Sequence, residues 1–368
     1  EKIGLLKVDF LGLSTLTVMR KAAQLIEQRH GVRYTMDNIP YDIGQCGPGK
    51  DSDKGMEKAF EMLARGDVLG VFQVEGSGMR KLMMDMKPQR FDHIIAAISL
   101  FRPGPMENIP EYIRRMHAAL FQDKDIAVYH TQELKPILQD TYGILVYQEQ
   151  IIRIAAELAG YEPGEADMIR KAVSKKKRDL MDEHKAKFTA GAMSRGFSRE
   201  VCDAIWGDIE FFARYGFNKA HAADYAVICC QTAYLKAHYP VEYLTALLSV
   251  DRHDTEKVAT YVSDARRLGI TVAPPALNRA MLDFTIEDGD EASSTTTDHG
   301  RQTTAKNQNR RPSSVVRRPL VRYGLSAIKN AGEGAVQLLI DEREANGPFR
   351  DPADLAERVD LPRVGQRA

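Results

Sequence analysis

The sequence predicts a mostly α-helical protein with short β segments, and three observations carry that expectation. Stretches bounded by Gly, Pro and capping residues keep a helical period, as at 14–30, 178–195, 199–213 and 255–268. The segment from Lys219 to about Lys236 has no helix breaker and shows apolar side chains around most of its circumference, which marks a buried helix. Strand-like runs are few and short: Ile3–Leu13, Val68–Val74, the start of DTYGILVYQEQ and Ile270–Ala273.

The chain has 368 residues, enough for two or three domains with buried cores. Lys plus Arg and Asp plus Glu are 51 each, so no overall field favours nucleic acid or a membrane, and binding of either must use local patches. Cys46, Cys202, Cys229 and Cys230 form no C-x-x-C pair, so a reducing cytoplasm is expected rather than a disulfide framework or zinc site. No apolar run approaches the ~20 residues that span a bilayer. Glu1 opens the chain inside a strand-like run, as expected of a piece of a longer polypeptide.

In Ile3–Leu13, alternation puts Lys7 and Asp9 on one face and Leu6, Val8 and Phe10 on the other. A cation beside a carboxylate can hold a phosphate and a metal, or form an ion pair on an exposed face. Ser14 or Thr15 caps a helix that Gly31 closes after His30. The loop at 40–55 nearly matches a phosphate-binding loop, but Asp51 stands where a hydroxyl is needed and no apolar strand precedes it, so the match is set aside. Asp51-Ser52-Asp53 is expected to be a solvated turn. A helix at Met56–Arg65 and a strand at Val68–Val74 follow, then the turn Glu75–Gly78, too short for a nucleophile elbow.

The apolar run Phe91–Leu100 ends in FRPGP, a rigid turn presenting Arg102. Asp140–Gln150 is read as a short strand leading into a helix, Glu149–Leu158, closed at Gly160. A new helix from Tyr161 runs into Arg170, Lys171, Lys175, Lys176, Lys177 and Arg178, the densest basic cluster outside the 288–319 segment. It is either a phosphate clamp or a solvated charge run. Asp179 and Ser198 cap the helices at 178–195 and 199–213.

Tyr215-Gly216-Phe217 breaks the pattern, Asn218 takes the N-cap position, and Lys219 and His221 sit in the first turn of the long helix. If its amides are uncapped, that end is an anion site suited to phosphate; otherwise it is a capped helix with a solvated Lys and a packed His. Pro240 ends the helix and opens the next, Val241–Ser249. Residues 288–319 are rich in Ser, Thr, Gln, Asn and Arg and are read as a disordered basic linker able to touch DNA phosphates. Order resumes at Val321, and Leu325–Val336 leads into a helix ending near Asn346.

The strings LLKVDFLGL, GVFQVEGSGMR, FRPGP, TYGILVYQEQ, IRKAVSKKK, YGFNKAHAADYA, QTAYLKAHYPVEYL and YGLSAIKNAGEGAV, in this order, resemble the bacterial C-family replicative DNA polymerases, the DNA polymerase III alpha subunits. The resemblance covers 1 to about 285 and 321–360. It implies a helical fingers domain preceded by one palm strand: 1–14 palm strand, 15–250 fingers, 251–287 outer fingers, 288–319 linker, and 320–368 the start of a helix-hairpin-helix-like DNA-binding region. It implies template-directed addition of dNMP to a primer 3′-hydroxyl with two Mg²⁺ ions. Asp9 would be the catalytic, metal-holding carboxylate. Lys7, Arg170, Lys171, Lys175, Asn218, Lys219 and His221 would contact the dNTP, and Lys176, Lys177 and Arg102 the DNA. The implied partners are primer–template DNA, dNTPs, a sliding clamp and other replicase subunits, with no membrane.

The sequence also departs from that family. Its other two catalytic carboxylates, a D-x-D pair on an upstream palm strand, are not in this chain, so these residues alone are expected not to polymerise. Lys171 stands where Arg is common, Asp224 where Ala is usual, and Asn330 where a helix-hairpin-helix carries its first Gly. The alternatives are a non-catalytic nucleic-acid-binding protein and an inactive truncated gene product.

Overall fold

The computed structural model describes residues 12–174, 178–213, 216–288 and 319–359, with backbone alone at 163, 170–174, 178, 179 and 213. In chain order the helices are α1 (Ser14–His30), α2 (Glu57–Ala64), α3 (Ser77–Met86), α4 (Phe91–Leu100), α5 (Ile109–Phe121), α6 (Lys135–Leu138), α7 (Gln148–Ala159) and α8 (Pro163–Ser174). Then come α9 (Arg178–Ser194), α10 (Arg199–Ala213), α11 (Lys219–His238), α12 (Pro240–Val250), α13 (Thr255–Arg267), α14 (Glu333–Asn346) and α15 (Pro352–Arg358). Three short strands complete the set: β1 (Thr271–Ala273), β2 (Thr285–Glu287) and β3 (Leu320–Arg322). The fold is mostly helical with short β segments, as expected.

Two compact units are formed, one by Asn38–His238 and the other by the segments on either side of it. In the first unit α11 packs on α4 and α2. Its contact face is made of small side chains, with Ala222, Ala226, Cys229, Cys230 and Ala233 all fully buried, so backbones approach closely. Farther along, the helix is buried nearly all round, Lys236 included, whose ammonium donates to the Leu69 carbonyl at 2.6 Å. That agrees with the apolar circumference read from the sequence. Burial pushes the Cys229 thiol up to about 12, which leaves it protonated and inert.

A separate cluster joins α7, α8, α9 and α10 around Ile151, Leu158, Ile169, Phe188, Ile205 and Trp206. Gly191 of α9 lies against the end of α7, where a Cβ would sit 2.2 Å from the Ala159 carbonyl oxygen, so only glycine permits this crossing.

The other unit packs α1 on α12, and α12 on α13 and two of the strands. Buried Glu242 of α12 receives Arg29 and, at 2.9 Å, His30 Nε2 from the end of α1. The sheet has the order β1-β3-β2, β3 parallel to β1 and antiparallel to β2. Arg322 of β3 grips Glu287 of β2 through two bonds of 2.9 and 2.7 Å. The sheet therefore ties residues 271–287 to the chain beyond the expected linker.

Several local expectations fail. Val68–Val74 is not a strand: Val68, Val71 and Val74 are buried at a spacing of three, on successive turns closed by Val71 N–H to Val68 O and Val74 N–H to Val71 O. Gly70 (φ 71°) and Gln73 (φ 66°) are left-handed, which an extended strand excludes. The strand expected before α7 is absent because Tyr142 (φ 55°) and Gly143 (φ 77°) turn the chain there. Asp51 is not solvated but buried, paired with Lys54 at 2.6 Å. The strand Ile3–Leu13 and the linker lie outside the described residues except at their last or outermost positions.

His93 of α4 is buried, with Nδ1 accepting the Gln89 amide at 3.1 Å and Nε2 3.0 Å from the Tyr142 hydroxyl. Burial first, then Arg90 and His117, lower its pKa to about 3. A histidine with a folded pKa below its unfolded value of ~6.5 contributes stability that is complete above ~6.5 and is lost as pH falls toward the folded value. Between pH 7 and 5 the loss is about 2 kcal/mol. Urea unfolding followed by the fluorescence of Trp206, the sole tryptophan, checks this. A His93→Gln chain should show a shallower pH slope by that amount, and equal slopes would refute the assignment.

Candidate functional site

Four of the residues singled out by sequence have described side chains: Arg102, Asn218, Lys219 and His221. All lie in the Asn38–His238 unit, and the fold brings Arg102 to the Phe217 ring beside His221, one turn from Asn218 and Lys219. The Arg102 guanidinium lies over the Phe217 ring at 3.6 Å, on the turn after α4 where Gly104 (φ 100°) redirects the chain. Its own partial burial lowers the Arg102 pKa from the usual guanidinium range. His221, one turn into α11, is exposed, and its ring centroid is 5.5 Å from that of Phe217. Beyond it the rings of Tyr225 (4.6 Å from His221) and Phe72 (5.4 Å from Tyr225) continue the row.

The start of α11 is capped. Asn218 Oδ1 accepts the His221 amide at 2.8 Å, the bond expected of an N-cap. The Lys219 amide donates to both oxygens of Glu149, each at 3.0 Å. The uncapped alternative is thereby excluded: a carboxylate from α7 already sits where a phosphate would meet these amides. The Lys219 and His221 amides are thus taken by side-chain oxygens of the protein itself. Lys219 Nζ lies 5.3 Å from the centre of the Tyr147 ring, and Asp224, farther along α11, is exposed.

Glu149 was not among the residues marked by sequence, nor were its neighbours. Gln148 donates its amide to the Phe217 carbonyl (2.9 Å) and its side chain to the Gly216 carbonyl (3.0 Å), while Glu149 also accepts from Asn218 Nδ2 at 2.8 Å. Buried Gln150 holds this segment from behind, its Oε1 accepting the Val146 and Tyr147 amides at 2.9 Å each. The one available signal was the polar run Gln148-Glu149-Gln150 at a helix start.

Arg170 and Lys171 lie on the backbone of α8, and their side chains are outside the described residues. Lys7, Asp9, Lys175, Lys176 and Lys177 are outside them altogether. Among the described residues no group of three His, Cys, Asp or Glu could hold a metal ion. No helix among the described residues is long and apolar enough to cross a membrane. An open depression of about 570 Å³ in the other unit, lined by Val250, Asp251, His253, Asp254, Thr255 and Glu256, carries the wrong charge for a phosphate.

Near the other end of the chain, Leu325–Ala331 forms a tight turn in which Ala331 N–H bonds to the Ile328 carbonyl and Asn330 has φ 69°. Asparagine tolerates this left-handed conformation better than other non-glycine residues, so it can stand in the place of the missing glycine.

Residues 15–196 match the model of the bacterial DNA polymerase III alpha subunit finger domain, and residues 269–368 match a helix-hairpin-helix motif. The whole chain aligns with the DNA polymerase III subunit alpha of Thermus aquaticus at 43% identity, over 27% of that protein. The chain belongs to the bacterial DNA polymerase III alpha subunit family. The alpha subunit of Deinococcus radiodurans is 41% identical over 98% of this chain and 24% of its own length. That of Bacillus subtilis is 36% identical over all of this chain and 28% of its own. The chain thus spans about a quarter of the length of these relatives. Residues 218–221 follow the stretch matched by the finger model.

Proposed function

We propose that this chain supplies the nucleotide-facing surface of a template-directed DNA polymerase, with fingers extending to about residue 250. The observation that carries the reading is the cluster at the start of α11. Arg102 and exposed His221 meet at Phe217, the Lys219 ammonium lies beside the Tyr147 ring, and the helix end is fixed by Asn218 and Glu149. Lys219 meets the triphosphate, together with Lys7, Arg170, Lys171 and Lys175, and neutralises charge on the leaving pyrophosphate. Asn218 keeps the helix start in register, and His221 borders the sugar and base. The primer 3′-hydroxyl gives its proton to water and its oxygen attacks the α-phosphorus as the bond to the bridging oxygen breaks, releasing pyrophosphate.

Arg102, Lys176 and Lys177 contact the backbone of primer–template DNA, and the helix-hairpin-helix region adds a second DNA contact. Two Mg²⁺ ions supply Lewis acidity in such reactions. Asp9 is the residue of this chain that would hold them, the remaining carboxylates coming from outside it. Contacts with a sliding clamp and other replicase subunits run through the longer polypeptide.

The test is Lys219→Ala in a full-length alpha subunit carrying this sequence. A lost charge-assisted contact raises KM for dNTP by about tenfold to a hundredfold. Primer–template Kd should stay within about twofold, since Lys219 faces the nucleotide rather than the duplex. Unchanged dNTP KM with weakened, salt-sensitive DNA binding would instead favour a nucleic-acid-binding surface without a nucleotide site.

A further inference from the structure

The geometry points to Glu149 as a positioning residue for the nucleotide-facing end of α11. This inference rests on the proposed reading of Lys219 and His221. No part of the reaction needs a carboxylate at residue 149, and an acid beside a phosphate-binding lysine opposes anion binding by its charge. Its place is explained by what it holds. One carboxylate takes the Lys219 amide on both oxygens and the Asn218 side-chain amide on one of them, at 3.0, 3.0 and 2.8 Å. Asn218 in turn holds the His221 amide. Three consecutive features of the site therefore depend on one side chain from a distant helix: the cap, the origin of the Lys219 side chain and the first turn bearing His221.

The support behind Glu149 is equally specific. Gln148 fastens the carbonyls of Gly216 and Phe217, so residues 216–219 are gripped along their length by Gln148 and Glu149. Gln150 fixes the other side of the same segment by bonding Val146, Tyr147 and, through Nε2, Thr141 at 2.9 Å. The 148–150 run thus transmits the rigidity of the α7–α10 cluster to a loop that would otherwise be free to change the direction of Lys219. Gly216 adds a steric constraint, since a Cβ there would lie 2.1 Å from the Phe212 ring.

The experiment compares Glu149→Ala, Glu149→Gln and Lys219→Ala in a full-length alpha subunit carrying this sequence. It measures single-nucleotide incorporation with dATP and hydrogen exchange by mass spectrometry. Glu149→Ala should raise KM for dATP about tenfold, the scale of a lost helix clamp, with kcat changed by less than about threefold. Exchange should quicken at the amides of 218–221 and not elsewhere in Asn38–His238. Glu149→Gln keeps Oε1 as acceptor for both partners but replaces Oε2, the second acceptor of the Lys219 amide, with a donor, so its KM should fall between those of the parent and Glu149→Ala.

A Glu149→Ala protein with parental KM, while Lys219→Ala is impaired, overturns the positioning role and leaves the functional reading intact. Faster exchange throughout Asn38–His238, or a Gln variant as impaired as the Ala variant, overturns it too, because each shows something other than this hydrogen-bonded clamp. If Lys219→Ala itself leaves KM unchanged, the functional reading fails and the role of Glu149 falls with it.

Discussion

Trp206→Ala is expected to destabilise the Asn38–His238 unit by about 4 kcal/mol, a large share of the ~5–15 kcal/mol that holds a typical domain folded. The indole is fully buried, packs against Phe188 with ring centroids 5.5 Å apart, and donates Nε1–H to Glu210 at 3.0 Å. Truncation removes the largest side chain in the α7–α10 cluster and opens a cavity beside Phe188, in a core built from four helices that cannot all close in. The bond to Glu210 is lost as well, though this carboxylate is half exposed and can turn to water. Trp206→Phe keeps most of the ring volume and should cost about 1–2 kcal/mol. Urea unfolding followed by circular dichroism, with the Phe variant as reference, measures the difference. Equal midpoints for Ala and Phe would mean that the cluster collapses without a cavity.

The functional consequence follows from where this cluster lies. Glu149 and the backbone of α8, with Arg170 and Lys171, are built on its helices. Loss of Trp206 should therefore weaken nucleotide use at temperatures below global unfolding, because the platform under the clamp loosens first.

Asp9→Ala in a full-length alpha subunit carrying this sequence should lower the rate of incorporation by about a thousandfold or more. The expectation rests on the string KVDFLGL and on charge. A carboxylate that helps hold catalytic cations has no neutral substitute, and alanine offers no oxygen at all. Primer–template affinity should change little, because backbone phosphates are held by Lys and Arg, not by an acid. Rapid-quench incorporation and a primer–template binding titration, run side by side, separate these effects. Normal turnover in the variant would remove Asp9 from the active site, and a parallel fall in DNA affinity would assign it to structure.

The helical class and most helix positions were legible because their signals are local. Gly31 and Gly160 end α1 and α7 in the left-handed conformation, Pro240 opens α12, and Asp254 caps α13 by accepting the Lys257 amide. The errors fell where two left-handed residues or a period of three replaced alternation, at Val68–Val74 and at Tyr142–Gly143. Those choices follow from which valines find a core to enter, which no short window contains. β2 went unseen because three residues pairing with a strand across the 289–318 segment leave no periodicity to read.

In the candidate site, the sequence by itself determined which side chains carry charge and where the helix bearing Lys219 and His221 starts. It left open whether that start was free to bind an anion. Tertiary structure decided it by bringing Glu149 of α7 onto the Lys219 amide and Arg102 onto Phe217. The reason is one of range. Capping residues and helical periods act over a few neighbouring residues, whereas a hydrogen bond between helices depends on how their cores pack. Only the folded chain fixes that packing.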